Sequence, residues 1–400
     1  MAGLSLSCLA KLGAALLFWV AVALIQKFNW DHGGAKALVL LAVLLATPVA
    51  IAVAVSPQPE RPRYRREGRW MPVVIGALLV LQVAYAVKEL RHPSLTDVAS
   101  TTLAAGTLLR DGGNPYAAPV DAAAEAETGS ARFAGYKYMP LTPLAYLPLG
   151  TPLGERGIVL TNLLLHLGVV WLVYRLAADM AGASAGAVAA MLYLSLPLVP
   201  FQLFAKGVTD AVAVLPMLAA LLLAWRSPLL SGVCLGLSLS AKLLPAALLI
   251  PVCLPEAAPR ARAAHLLGLV LGLLPVLPFL AQAPQAFIDN IVVFNLIRPP
   301  DSTSWLLGAP ALAATIAHAV LAVAFVAVLA TAWRRPPWPA GRCGLAVMLI
   351  LGAILAGPAA HHNYQLWWLP LMAALLGAAL APERLPSAAP ALYQSGNQPD

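Results

Sequence analysis

Charge is what this sequence is short of. Only 10% of its 400 residues are Asp, Glu, Lys or Arg, against 60% hydrophobic residues. A folded chain in water needs more polar surface than that, so a soluble domain is excluded and lipid is the solvent for most of the chain. Cysteine is scarce as well: Cys8, Cys234, Cys253 and Cys343 lie in or at the ends of apolar runs without a CxxC spacing. That pattern argues against a disulfide framework or a zinc site and for small packing residues. Aromatic residues do not alternate with basic ones, so the net charge of +8 does not point to nucleic acid. Internal repeats are missing too.

What is present is one apolar run after another. About 20 helical residues cross the ~30 Å hydrocarbon core. Runs of that kind fall near 6–25, 37–55, 71–88, 157–175, 183–203, 209–225, 228–241, 243–254, 265–281, 309–332, 343–359 and 365–382. The expectation is an all-α polytopic membrane protein of about twelve helices, forming a single transmembrane domain over 1–382 with a disordered cytoplasmic tail at 383–400. The first run has a weak basic start and no clear cleavage site, and reads as an uncleaved helix. The short runs at 228–241 and 243–254 are two tilted helices or one long one.

Orientation follows from RPRYRREGR (61–69), whose five arginines mark a cytoplasmic loop. Alternation from there puts Arg226, Arg260, Arg262, Arg334, Arg335 and Arg342 on the same side, provided that 139–154 does not fully cross. With four prolines in sixteen residues, that segment reads as broken or re-entrant. The polar residues of chemical interest then collect on the outer face.

The longest outer loop, 89–138, contains SLTDVASTTLAAGTLLRDGGNPY. Val98, Thr102, Ala105 and Leu109 recur at helical spacing, which predicts an amphipathic helix lying on the membrane surface. Asp97 opens it as a plain N-cap or as a general base, and the two readings are compatible because the helix's positive end keeps a carboxylate ionised. The turn that follows supplies Asn114 and Tyr116, and FAGYKYMP supplies Tyr138 as a belt aromatic. Asp111 is a turn residue. Lys206 and Asp210 in FAKGVTD are an ion pair or interfacial residues. Lys242 interrupts a long apolar run, where a cation costs on the order of 3 kcal/mol, and its expected partner is an anion such as a phosphate. Arg298, between an apolar stretch and Pro-Pro, has the fork geometry to clamp phosphate. His361, His362 and Asn363 open the last run. Adjacent histidines face apart on a helix, so hydrogen bonding to a headgroup fits them better than a shared metal. His166 and His318 read as satisfied core histidines, and Trp367 and Trp368 as packing residues.

Together, an early loop Asp, G-x-N-P-Y (112–116), Y-x-Y-x-P-L (136–141), KGVTD (206–210), G-x-x-x-G-L-S-L-S-A-K-L-L-P (232–245) and the His-rich turn resemble GT-C glycosyltransferases. The resemblance is to glycosyltransferase family 87 and polyprenol-phosphate-mannose-dependent mannosyltransferases, and it runs from about residue 70 onward. It implies an inverting membrane transferase, and the Ala/Pro/Arg-rich composition suggests a bacterial source and so a bacterial plasma membrane. Such an enzyme moves a sugar, mannose or another hexose or pentose, from a polyprenyl-phosphate donor to a hydroxyl of a lipid or glycan acceptor on the outer side. Asp97 would be its base, and Lys242, Arg298, His361 and His362 would hold the donor phosphate. Lys206, Asp210, Asn114, Tyr116, Tyr138 and Asn363 are weaker substrate-binding candidates. A paired acidic motif after Asp97 is missing, so a divalent metal is possible but not indicated. The competing readings are a twelve-helix secondary transporter or lipid-linked-sugar flippase, which predicts matched repeats, and a non-catalytic scaffold.

Overall fold

In lipid, a run of Leu, Ala and Val can satisfy its backbone only by coiling into helix, and helices are what these runs form. The computed structural model describes residues 71–93, 95–122, 129–254, 258–298, 304, 311–334, 339–357 and 361–380. The runs at 6–25 and 37–55, the arginine loop at 61–69, Arg335 and the tail lie outside the described residues. Within them the order is α1 (Met71–Arg91), α2 (Asp97–Arg110), α3 (Leu141–Leu153), α4 (Glu155–Ala181), α5 (Ala183–Leu194), α6 (Ala211–Leu223), α7 (Pro228–Ala241) and α8 (Leu243–Cys253). Then come α9 (Pro259–Gln282) and α10 (Pro284–Ile297), followed by α11 (Ala311–Arg334), α12 (Pro339–Ala356) and α13 (Gln365–Leu380). No strand occurs among the described residues.

The count of twelve spans is not reached among the described residues. Five helices, α1, α4, α9, α11 and α12, are long and apolar enough to cross a membrane. A sixth span arises only if α5 and Leu198–Ala205, bent by 58°, are taken together. Hydropathy does not register breaks. The 228–254 stretch divides at Lys242, whose φ of −145° and ψ of 132° are extended, with Leu244 extended as well. Pro245 bars the residue before it from the helical region, which keeps the chain open there. The 139–154 segment contains a continuous helix, α3, with Pro148 and Pro152 inside it. At 13 residues it spans about 20 Å, well under the ~30 Å core.

Helix α2 forms where the spacing predicts an amphipathic helix, buried on one side and exposed on the other. Its buried residues are Ala99, Thr102, Ala105 and Gly106, a stripe turned from the expected one at 98, 102, 105 and 109. Small side chains let α2 lie against α3, so this face meets protein rather than lipid. α13 lies at the centre of the bundle, buried from Gln365 through Gly377 against α4 and α5. α7 and α9 meet through Gly232, Gly236, Gly268 and Gly272, where an added Cβ would strike the backbone of the opposite helix. α11 presents its apolar window outward along its length. His318 on it is exposed and bonds to the Ala314 carbonyl, while His166 is buried with neither ring nitrogen bonded. Neither is a satisfied core histidine.

Candidate active site

The site grows from three chain breaks that meet. The first is the KGVTD turn after a π-helical turn at Phe201–Ala205. Gly207 takes a φ of +65°, and a Cβ there would press on Leu95 and Ala99. The Lys206 carbonyl accepts from the Thr96 amide (3.0 Å) and the Thr96 hydroxyl (2.9 Å). The turn and the start of α2 are thereby one unit. Thr96 occupies the N-cap and Asp97 is the first helical residue, with its side chain exposed. The plain capping role for Asp97 is therefore overturned: the cap position is already filled.

The second break is at Lys242 and the third at His361–Tyr364. They converge on Asp210, which is fully buried. Its Oδ1 accepts from Lys242 Nζ at 2.8 Å and from Trp367 Nε1 at 2.5 Å, and its Oδ2 accepts from Asn363 Nδ2 at 2.8 Å. Lys242 is thus balanced by a carboxylate 32 residues away in sequence, not by a ligand alone. Its ammonium also lies 4.8 Å from the Tyr138 ring centroid and 5.9 Å from that of Trp367. Lys206 does not pair with Asp210; its ammonium sits over the Phe201 ring.

Beside this network is a cavity of about 200 Å³. Among the described residues, three basic side chains line it, Lys137, Lys242 and Arg298, with no acidic one. Tyr138, Tyr364, Trp367 and Asn295 complete the polar wall, and Leu243, Leu244, Ile291, Ala353 and Ile354 make the rest apolar. Lys137 is held by the Phe133 and Gly135 carbonyls and by Asn290 Oδ1. Tyr364 stacks on Trp367 at 4.4 Å, and the His361 ring meets Tyr364 edge-on at 5.5 Å. Burial, and secondarily the neighbouring His361, push His362 below the ordinary histidine pKa. At neutral pH it is therefore a hydrogen-bonding imidazole and not a cation.

Tyr138 links the halves of the site. Burial holds its hydroxyl protonated well above the usual tyrosine range, reinforced by Tyr364 and Tyr136 and then by the Asp210 and Asp97 carboxylates. Both carboxylates thus act on one phenol. Asn114 and Tyr116 are not among the cavity-lining side chains. Asn114 Oδ1 accepts from the Tyr116 amide, and the buried Tyr116 donates to the Tyr138 carbonyl at 2.8 Å. They shape the loop that carries Tyr138. Asp289 is bound by the Arg132 guanidinium through two hydrogen bonds and by Gln285.

Sequence reasoning missed Trp367, Tyr364, Lys137 and Asn295. A signal for Trp367 was available: Asn363 and Trp367 are four apart and share a helical face. Among the described residues, no three His, Cys, Asp or Glu side chains converge as a metal site would require.

The all-helical membrane bundle matches the GT-C fold of membrane glycosyltransferases. The model of glycosyltransferase family 87 matches residues 138–358, more than half of the chain, and the chain belongs to that family. The matched region includes Tyr138, Asp210, Lys242 and Arg298, while Asp97, His361 and His362 fall outside it. Among solved structures the chain is similar to that of ArnT from Cupriavidus metallidurans bound to undecaprenyl phosphate. The TM-score is 0.56 at 16% identity, a likeness of fold that covers 78% of this chain and 60% of that one. No curated protein matches the chain.

Proposed function

We propose that this protein is an inverting glycosyltransferase that takes its sugar from a polyprenyl-phosphate donor and works at the outer face of a bacterial plasma membrane. The observation that carries this reading is the cavity: among the described residues, three basic side chains and no acidic one line a wall that is otherwise largely apolar. Such a lining suits an anion joined to a hydrocarbon chain. At about 200 Å³ it is smaller than the roughly 300–1,000 Å³ of ordinary small-molecule sites, as fits a phosphate whose lipid extends beyond it. The undecaprenyl phosphate bound to ArnT supports the donor class.

In this reading the Asp97 carboxylate removes the proton from an acceptor hydroxyl. The oxygen attacks the anomeric carbon as the bond from that carbon to the phosphate oxygen breaks, and the electron pair leaves with the phosphate. Lys242 and Arg298 lie where that charge develops, and fixed donors aimed at developing charge lower the barrier. His361 and His362 add hydrogen bonds. The sugar is mannose or another hexose or pentose, and the acceptor is a lipid or glycan hydroxyl.

The test is sugar transfer by purified protein in liposomes supplied with polyprenyl-phosphate sugars. Asp97→Asn is expected to lose about 10²–10⁴-fold in turnover, the range of general-base catalysis, with donor affinity unchanged. Wild-type turnover by a folded Asp97→Asn protein would remove Asp97 from the mechanism.

A further inference from the structure

We infer that Asp210 is a positioning residue: it aims the Lys242 ammonium into the cavity and sets it at a fixed distance from the helix that carries Asp97. The inference rests on the donor-phosphate reading of the cavity. Asp210 is fully buried and is absent from the cavity lining, whereas Lys242 is part of it. Its oxygens are taken by Lys242, Trp367 and Asn363 at 2.5–2.8 Å. A carboxylate so occupied has little left to offer a substrate. What it can do is fix three donors relative to one another.

Those donors come from different parts of the chain. Lys242 stands at the α7–α8 break, Asn363 in the turn His362–Tyr364 before α13, and Trp367 in the first turn of α13. Asp210 ends the same turn whose Lys206 carbonyl binds Thr96 beside Asp97. A shift of Asp210 would therefore move the phosphate-facing cation against the base. The ammonium spends one of its three hydrogens on Asp210, leaving others for the cavity. Without that carboxylate the buried ammonium has no fixed direction, and it lies between the Tyr138 and Trp367 rings with nothing to aim it.

The experiment is a double-mutant cycle on undecaprenyl phosphate binding by full-length protein in nanodiscs, with monodispersity and thermal unfolding read in parallel. In wild type, Asp210→Asn is expected to weaken binding at least about tenfold and Asn363→Ala about threefold. In a Lys242→Met background neither change should weaken it further, since residues acting through one partner are not additive. Asp210→Glu, which keeps the charge, should recover part of the lost affinity. If Asp210→Asn does not fold, Asn363→Ala in the two backgrounds decides alone. Equal losses with and without Lys242 would overturn the positioning role while leaving the donor site intact. Unchanged binding on Lys242→Met would instead remove the donor-site reading, and this inference with it.

Discussion

At the residue scale, the side chains of the candidate site have partners that lie far off in sequence. Lys242 invited attention because a cation inside an apolar run is costly, and that much was legible. Its partner was not, because Asp210 and Lys242 share no helix or motif and meet only once the breaks are folded together. The same holds for Arg132 and Asp289, which are 157 residues apart. Asp289 is almost fully buried while Arg132 is half exposed. The guanidinium holds the Asp289 carboxyl below its ordinary range. A depressed carboxylate pKa means that the clasp contributes its full stability above the ordinary Asp value, about 3.9, and loses it as pH falls through the folded value. Segment 129–138 should therefore resist proteolysis at neutral pH and open only below about pH 4. Arg132→Gln should open it at pH 7 as well, since it leaves a buried carboxylate short of its main partner. Limited proteolysis followed by mass spectrometry reads both outcomes.

At the element scale, hydropathy located most helices but not where they stop. Lys242, Pro245 and the bend between α5 and Leu198–Ala205 interrupt runs that look continuous by composition alone. Helix α2 was visible from its spacing, yet its buried face was misjudged. Ala99 and Gly106 gave no apolar signal, yet Gly106 lies against Pro143 and Thr151 of α3 and Ala99 against Gly207. The α7–α9 seam is similar: glycines contribute nothing to hydropathy but govern how closely two backbones approach. An alanine at position 268 would meet the Leu229 carbonyl. Overpacking of this kind costs about 1–3 kcal/mol. Gly268→Ala should lower the thermal midpoint by several degrees, whereas Gly76→Ala, with open space around its Cβ, should not lower it. Thermal unfolding of the purified proteins distinguishes the two.

At the scale of the whole molecule, the class was the most legible property, since composition alone excluded water as the solvent, and the short motifs pointed to the family. The number of spans was less so, because several helices are too short to cross alone. The arginine distribution predicts a sidedness that is open to direct measurement. In a background with the native cysteines replaced, Asp111→Cys should react with a membrane-impermeant maleimide on intact cells. Arg260→Cys should react only after permeabilisation. The reverse pattern would put the cavity on the cytoplasmic side. The glycine seam has a last consequence, for molecular traffic. Where α7 and α9 touch backbone to backbone, no hydrocarbon chain can pass between them. The helix that ends at Lys242 is thus sealed along that flank. A long-chain molecule has to reach the cavity by another route, and Ala353 and Gly357 keep the α12 side of its lining low. Four residues without side chains would in this way decide from which direction a lipid can arrive.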